Sequence, residues 1–381
     1  MAVGIVCEYN PFHNGHLYHL NKIKEMFPDE PICLVMSGNF TQRGEVSLID
    51  KWDKTKIALE YGVDLVAELP YAFVTESADT FAKGCIEILK ELRVTKLVFG
   101  SENNDIELLK KMVDIQLNNE EYNSLVKRYM FDGLSYPTAL SNALYKITGT
   151  KINTPNDILG LCYIKQIIKQ NAKITPYCIK RTNDYNSLEL DGEIVSATAI
   201  RKALEKKEDI SKFVPSETLK YLDNCHFSED YFPYLKYKIL SEKEKIRKYH
   251  TVTEGIEHRI YSAALLSNSL EELVMKVKTK RYTYNKIMRM LMHILCNYTK
   301  KEASLNNHIK YIRILGFSEQ GRVQLRKAKR TSSKINTTFS KFECLMDLDF
   351  RVNCVYAATL PLDKQNEMIR KEYRTPPIQK K

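Results

Sequence analysis

Residues 6–17 read VCEYNPFHNGHL, and they are the most informative segment for predicting the architecture. Its apolar start is typical of the end of a buried strand and its middle of a loop, and the segment His16 to Met26 is typical of an amphipathic helix. A helix that starts directly after a strand presents free backbone N–H groups and a partial positive charge, which together favour phosphate. The stretch therefore predicts a strand–loop–helix unit with an anion site at its turn.

The loop contains residue types that suit phosphate chemistry. Gly15 lets a ligand approach the backbone closely. His13 and His16 lie three positions apart at the helix start, so both can donate hydrogen bonds from one side as charge develops on a phosphorus atom. We therefore predict that His13 and His16 are catalytic, orienting an attacking oxygen and stabilising the departing pyrophosphate without a covalent nucleophile. Taken alone, His-x-x-His also fits an ordinary helix start or half of a metal site.

Strand and helix patterns alternate through the first 100 residues. Short apolar runs predict buried parallel strands at Ala2–Cys7, Ile32–Met36, Val63–Glu68 and Lys96–Phe99. The segments between them predict helices at His16–Met26, Ile49–Tyr61 and Asp79–Leu92. This alternation predicts an α/β fold with an open, doubly wound parallel sheet, whose ligands bind at the carboxyl ends of the strands.

The rest of the chain is predicted to be mainly helical. Residues 105–170 are followed by a candidate strand at Ile174–Ile179 and a helix near Thr198–Lys206. Val214-Pro215-Ser216 is typical of a boundary, which divides the chain into residues 1–215 and a mainly α-helical domain at 216–381. That second domain has periodic segments at Glu254–Leu266, Leu270–Val277 and Tyr284–Tyr298, and its polar tail, Tyr373–Lys381, is expected to be disordered.

A second phosphate motif is predicted at residues 195–201, VSATAIR. Ser196 or Thr198 can cap the following helix and contact phosphate. Arg201, three residues beyond Thr198 and on the same side of the helix, can grip two phosphates with its planar fork. We interpret the three residues as a phosphate clamp, although Ser and Thr caps are common in helices without ligands.

Positive charge is concentrated in one segment. The chain has a net charge of +11, and residues 276–340 contain 16 Lys or Arg and two acidic residues. That segment nets +14, so the rest of the chain nets about −3, the difference between the two. Such a block favours a polyanionic partner over a plain solvated helix surface, where Glu would be interleaved with Lys.

Composition excludes several other classes of protein. No apolar run approaches the roughly 20 residues that span a bilayer. The N-terminus lacks the basic start and cleavage site of a signal peptide, so we expect a cytoplasmic protein without a membrane partner. The nine cysteines include no Cys-x-x-Cys pair, so we expect reduced thiols and no metal site.

Several motifs together carry a family resemblance. The first loop and the Ser/Thr-Arg turn resemble the nucleotidyltransferase superfamily related to aminoacyl-tRNA synthetases with Rossmann-like catalytic domains. Further motifs are SGNF at 37–40, RGE at 43–45, FGSENN at 99–104, PNDILG at 155–160, IKR at 179–181 and KTKRYT at 278–283. With these, nearly the whole chain resembles the bacterial tRNA(Met) cytidine acetate ligase family.

The resemblance implies a Rossmann-like, nucleotidyltransferase-type catalytic domain at 1–215 and a tRNA-binding domain at 216–381. It implies that acetate attacks the α-phosphate of ATP to give acetyl-adenylate and pyrophosphate. The 4-amino group of the wobble cytidine of elongator tRNA(Met) then takes the acetyl group, giving N4-acetylcytidine. Carried over by matching motifs, the ATP-binding positions are Val6, Cys7, Glu8, Tyr9, Asn10, Pro11, Phe12, His13, Asn14, Gly15, His16, Leu17, Tyr18, His19, Gly100, Asn156 and Arg181.

Other residues are assigned less specifically. Asn39, Arg43 and Lys51 are candidates for binding acetate or a phosphate, although Lys51 also fits a solvated helix start. The candidates for tRNA contact are Lys276, Lys278, Lys280, Arg281, Lys286, Arg289, Arg322 and Arg326. Tyr282, Tyr284 and Tyr298 can stack on anticodon-loop bases or pack between helices.

We expect Mg²⁺ to accompany ATP, with no carboxylate identifiable as its ligand, and we infer no obligatory protein partner. Two other functions fit part of the sequence. A small-metabolite adenylyltransferase of cofactor biosynthesis would share the first loop but gives no reason for the +14 segment. An RNA-binding protein with a vestigial site would explain that segment but not the intact His13, Gly15, His16 and Arg201.

Overall fold

A computed structural model describes residues 1–181, 194–223, 225–338 and 344–380. The strands within these ranges are β1 Val3–Cys7, β2 Ile32–Ser37, β3 Leu65–Leu69, β4 Lys96–Ser101, β5 Thr175–Lys180, β6 Ile312–Phe317, β7 Ile335–Asn336 and β8 Ile378–Gln379. The helices up to residue 219 are α1 Asn14–Met26, α2 Lys51–Glu60, α3 Tyr71–Val74, α4 Ala78–Glu91, α5 Ile106–Asn118, α6 Glu120–Phe131, α7 Tyr136–Thr148, α8 Pro155–Lys169, α9 Ala197–Glu205 and α10 Ser216–Leu219. Those that follow are α11 Phe232–Ser241, α12 Ile256–Leu265, α13 Leu270–Val277, α14 Tyr284–Leu295, α15 Lys300–Leu305, α16 Glu319–Lys329, α17 Asp347–Ala357 and α18 Leu362–Arg374.

The strands form one sheet in the order β5-β4-β1-β2-β3-β6-β7, and β8 also pairs with β6. Strands β1 to β5 pair in parallel with one another, as the alternating pattern predicted. The chain leaves β1 toward β2 on one side and later returns to β4 on the other. The carboxyl ends of β1 and β4 therefore border the crevice where such sheets bind ligands.

Alternate residues of each inner strand face opposite sides, and both sides are covered by helices. Val3, Ile5 and Leu34 belong to one core with residues of α1 and α2. Cys33 and Val35 belong to the other, which includes residues of α4 and α8. This second core continues without interruption into α11–α14 and α17, so the C-terminal helices pack on the same sheet face.

Two expectations for the C-terminal half were wrong in detail. Residues 216–381 were predicted to be mainly helical, but they contain β6, which pairs antiparallel with β3 and extends the sheet. The tail was expected to be disordered, but Ile378–Gln379 pairs with Gly316–Phe317 of β6. Strand β6 was missed because it lies inside the basic segment and has no alternating pattern. The prediction of a domain division at residue 215 stays a prediction, and the sheet contains strands from both sides of it.

No helix in the described ranges is both long and apolar enough to span a bilayer.

Candidate nucleotide site

The loop after β1 positions its two histidines through the backbone. His13 is the N-cap of α1, where its Nδ1 accepts a hydrogen bond from the Gly15 N–H at 3.0 Å. In return, the His13 N–H donates to Nδ1 of His16 at 3.2 Å. The pair thus forms a capping box built from two imidazoles, whose ring centroids are 3.9 Å apart. The spacing predicted from the sequence does place both rings together at the helix start.

Both imidazoles are uncharged at neutral pH. Burial, with the nearby charges of Arg181 and Arg201, lowers the pKa of His13 to about 3. Burial and the neighbouring His13 lower the pKa of His16 well below its usual range. A neutral imidazole whose Nδ1 accepts a hydrogen bond has its proton on Nε2. Each ring therefore keeps one Nε2–H donor that the backbone does not use.

The ends of β4 and β5 complete the crevice. Gly100 lies under the Arg181 side chain, because a Cβ on Gly100 would meet Cγ of Arg181 at 3.3 Å. The Arg181 guanidinium is close enough to lower the pKa of His13, His16 and His19, in each case after burial. The structure therefore brings the ends of β1, β4 and β5 to one place, as the carried-over ATP positions require.

Asn156 lies at the start of α8, beside the residue that follows β4. Its Nδ2 donates to Oε1 of Glu102 at 2.6 Å, and Oε2 of Glu102 accepts from the Asp157 N–H at 3.1 Å. Asp157 is fully buried and accepts from Thr154 Oγ1 at 2.7 Å and Asn103 Nδ2 at 2.8 Å. Neither Glu102 nor Asp157 was given a role from the sequence. A signal was available, since an acid directly after a strand and another at a helix start can together fix a loop.

The predicted phosphate clamp lies against the first loop. Ser196 caps α9, accepting from the Ala199 N–H at 3.1 Å. Nη1 of Arg201 donates to the Asn10 carbonyl at 2.9 Å, and Nη2 donates to Thr198 Oγ1 at 3.3 Å. Nη2 also forms an ion pair with Glu45 at 2.9 Å. Glu45 belongs to the RGE motif but was given no role from the sequence, and here it pairs with the guanidinium that we assigned to phosphate.

The three acetate or phosphate candidates separate into two groups. Burial lowers the pKa of Arg43, and the charges of Glu45, Glu8 and Arg201 lie close enough to affect it. Arg43 also lies two residues before Glu45, which forms the ion pair with Arg201, so we group Arg43 with the crevice. We call His13, His16, Arg43, Arg181 and Arg201 the loop site.

Asn39 and Lys51 face a different buried network. Asn39 accepts from the Lys51 N–H at 3.0 Å and donates through Nδ2 to Asn353 at 2.7 Å. The Lys51 ammonium is bound to Glu68 at 2.9 Å and to Glu372 at 2.5 Å. Neither residue belongs to the loop site.

Arg313 also pairs with Glu372, and the Asp349 carboxylate accepts from the Tyr71 N–H at 2.7 Å. We call Lys51, Glu68, Arg313, Asp349 and Glu372 the ion cluster. Its five ionisable side chains are all buried.

The first basic cluster lies next to the loop that follows β2. Nη1 of Arg289, on α14, donates to the Gln42 carbonyl at 3.4 Å. Gly44 has a φ of +81°, and a Cβ there would overlap the backbone of Met288 and Arg289. This close approach sets α14 against the loop of Arg43.

The candidates for tRNA contact around α14 differ in their surroundings. Lys278, Lys280 and Arg281 are exposed, and Arg281 is 3.4 Å from Glu254. Lys276 pairs with Glu272, and the Lys286 ammonium lies 4.3 Å from the centroid of the Tyr282 ring. Tyr282 and Tyr298 are buried, so of the two alternatives left open by the sequence, packing between helices applies to both.

The second basic cluster lies elsewhere. Arg322 and Arg326 are exposed on α16. That helix packs against the residue before β3, since a Cβ on Gly321 would overlap the Asp64 carbonyl. Gln324 donates to the carbonyl of Leu92, which precedes β4, at 2.8 Å. The structure therefore puts this cluster at the amino ends of the parallel strands and away from the loop site.

Comparison with known proteins gives a consistent result over the full length. The HIGH Nucleotidyl Transferase family model matches residues 1–372. A tRNA(Met) cytidine acetate ligase of a Geobacillus species is 37% identical over 399 residues, covering 99% of each chain. The protein of the same name from Caldicellulosiruptor saccharolyticus is 39% identical over 394 residues, covering 99% of this chain and 98% of the relative.

Two solved structures share the fold. The apo crystal structure of Thermotoga maritima TmcAL superposes with a TM-score of 0.93 at 32% identity, covering 100% of this chain and 99% of that one. A second crystal form of the same protein, bound with alpha-thio ATP, gives a TM-score of 0.91 with the same identity and coverage.

Proposed function

Because the chain belongs to the tRNA(Met) cytidine acetate ligase family, we propose that it uses ATP to join acetate to the wobble cytidine of elongator tRNA(Met). The observation that carries the proposal is the pair of neutral histidines at the start of α1. Each ring has its Nδ1 held by a backbone N–H and its Nε2–H free of the backbone, beside two arginines. The product would be N4-acetylcytidine.

The first step is the activation of acetate. An acetate oxygen attacks the α-phosphorus of ATP, the bond to the β-phosphate oxygen breaks, and pyrophosphate leaves with the electron pair. The Nε2–H groups of His13 and His16 would donate to phosphate oxygens, where charge builds up in the transition state. The amino-terminal N–H groups of α1 favour the same negative charge. Arg43 would orient the carboxylate of acetate.

Nucleotide binding involves the other strand ends. Gly100, Arg181 and Asn156 would contact the nucleotide, with the Asn156 amide held by Glu102. Arg201 would exchange Glu45 for the β- and γ-phosphates. Mg²⁺ would arrive with ATP, bound to phosphate oxygens and water. Across the described ranges no cluster of three or more His, Cys, Asp or Glu could hold a metal, so we assign Mg²⁺ no protein ligand.

The second step is acetyl transfer. The 4-amino nitrogen of the cytidine attacks the acetyl carbon of acetyl-adenylate, AMP leaves, and the nitrogen loses a proton. The basic residues near α14 are well placed to hold the anticodon arm, because Arg289 and Gly44 connect α14 to the loop of Arg43. We accordingly propose residues 1–215 as the catalytic domain and 216–381 as the tRNA-binding domain, acting in the cytoplasm.

Mass spectrometry of nucleosides tests this function. Elongator tRNA(Met) is incubated with the protein, ATP and isotope-labelled acetate, and labelled N4-acetylcytidine is expected at the wobble position. A reaction without ATP and one with another tRNA serve as controls. Adenylylation of a small metabolite, with unmodified tRNA, would instead support a cofactor-biosynthesis adenylyltransferase. Binding of tRNA without consumption of ATP would support a vestigial site.

A further inference from the structure

Lys54, in the first turns of α2, is a buried lysine whose ammonium contacts only main-chain acceptors. Its side chain is fully buried. Nζ donates to the carbonyls of Glu8 at 3.1 Å, Ser37 at 2.8 Å and Gly38 at 2.6 Å. An ammonium has three N–H donors, and these three bonds use all of them. A buried lysine is ordinarily paired with a carboxylate, so this arrangement calls for another reason.

The three carbonyls belong to the two loops that carry the loop site. Glu8 is the first residue after β1 and leads to His13, while Ser37 ends β2 and Gly38 begins the loop that contains Arg43. The Glu8 carboxylate adds a second link between the loops, accepting from the Gln42 N–H at 2.6 Å and from Ser37 Oγ at 3.3 Å. The Lys54 ammonium therefore links the two loops through their carbonyls.

We propose that Lys54 is a positioning residue for acetate activation, holding the loop of His13 and His16 at a fixed distance from the loop of Arg43. The inference rests on the proposed function, in which the first loop binds the α-phosphate and the second orients acetate. In-line attack requires the two reacting atoms about 3–3.5 Å apart, and an error of about 1 Å can cost a hundredfold in rate. Main-chain carbonyls are suitable anchors because they move only with the loop itself.

The charge state of Lys54 reflects a balance between burial and nearby acids. Burial lowers its pKa to about 7, and the neighbouring Lys51 acts in the same direction. The carboxylates of Glu8, Glu68 and Asp50 oppose the shift and favour the ammonium. Near neutral pH the Lys54 amine is thus about half protonated, and the protonated form is the one whose three N–H donors match the three carbonyls.

The test compares Lys54→Met with a matched control on the same helix, Lys56→Met. Lys56 is 45% exposed and pairs with Asp53 on the surface, so its loss removes a lysine without touching the loops. Acetate-dependent ATP–pyrophosphate exchange gives kcat and the KM values, and ATP affinity is measured separately without acetate. Lys54→Met should lower kcat about tenfold or more, while ATP affinity changes by less than about threefold, since the capping box of His13 and His16 holds the first loop without Lys54. Lys56→Met should match the wild type.

A second variant covers the case in which Lys54→Met does not fold. Lys54→Gln keeps two N–H donors and should give a kcat between those of Lys54→Met and the wild type. Unchanged kcat in a folded Lys54 variant would overturn the proposal, as would a proportional fall of kcat, ATP affinity and folded fraction. Failure of the proposed function looks different, because the wild type itself would then show no acetate-dependent exchange.

Discussion

Two polar regions lie at the same edge of the sheet, and they use their charges in opposite ways. In the ion cluster, Lys51 is 2% exposed and its partner Glu372 is fully buried. In the loop site, Arg201 is 15% exposed and its partner Glu45 27%. The first region is closed, with each cation bound to a carboxylate. The second has partners that water can reach, and its central histidines are neutral.

This contrast indicates where a ligand can bind. Acetate at Lys51 would have to displace Glu68 or Glu372 and leave a carboxylate unpaired in the interior, which costs several kcal/mol. At the loop site an incoming phosphate meets neutral Nε2–H donors and an arginine whose partner can move into solvent. Buried charge by itself therefore does not mark a binding site, and exchangeable partners do.

The largest effect should come from Lys51→Met, which would break the ion cluster. Removing one partner of a buried ion pair costs about 3–5 kcal/mol of the free energy of unfolding. Chemical denaturation should show that loss, while acetate-dependent exchange per folded molecule stays near the wild-type rate. If stability is kept and exchange is lost instead, Lys51 acts on the substrate, as the sequence alone also allowed.

Substitutions in the loop site should have the opposite effect, lowering activity while stability is kept. His13→Asn keeps an N-cap acceptor for the Gly15 N–H but removes the Nε2–H donor. Exchange should fall about a hundredfold or more, the scale of one lost transition-state donor, with little change in stability. His16→Ala should lose activity to a similar degree. Near-normal exchange in both folded variants would remove the histidines from the mechanism.

A smaller effect should come from the exposed basic residues near α14, which belong to neither region. Replacing Lys278, Lys280 and Arg281 together with Ala should weaken tRNA binding and leave acetyl-adenylate formation unchanged. For each phosphate that the protein no longer neutralises, the log–log salt dependence of tRNA affinity should flatten by about one unit. Titration of tRNA at several salt concentrations measures this slope. The variants Arg322→Ala and Arg326→Ala on α16 are titrated in the same way for comparison. An unchanged slope would mean that the three residues are only a solvated surface.

The smallest effect should be a pH dependence confined to the ion cluster. Burial and the nearby Glu68 raise the pKa of Asp349 to about 7, so the folded state holds a proton that the unfolded state has released. Its contribution to stability is complete below the unfolded pKa of about 4 and is lost progressively as the pH rises from there to about 7. Asp349→Asn should therefore flatten the fall of the unfolding free energy with rising pH between about 4 and 7. An equally steep profile in Asp349→Asn would locate the titrating group elsewhere.

The sequence predicted the parts of this molecule that local patterns determine. The strand positions of β1 to β5 follow from apolar runs, and the motif of His13 and His16 identified the loop. The partners of Asn39 and Lys51 could not be predicted from local patterns, because Asn353 and Glu372 lie over 300 positions away in the chain. Lys54 looked like any helical lysine, since nothing local shows that three carbonyls surround it. The burial of Tyr282 and Tyr298 likewise depends on helix packing.

The ion pair between Glu45 and Arg201 has a consequence for the release of pyrophosphate. If ATP phosphates replace Glu45 on that guanidinium, then pyrophosphate departs from a residue that already has a tethered competitor nearby. The returning carboxylate would compete with pyrophosphate for the Arg201 guanidinium and weaken rebinding of the product. The chain would thus carry its own displacing anion, making the forward reaction less sensitive to pyrophosphate that accumulates in solution.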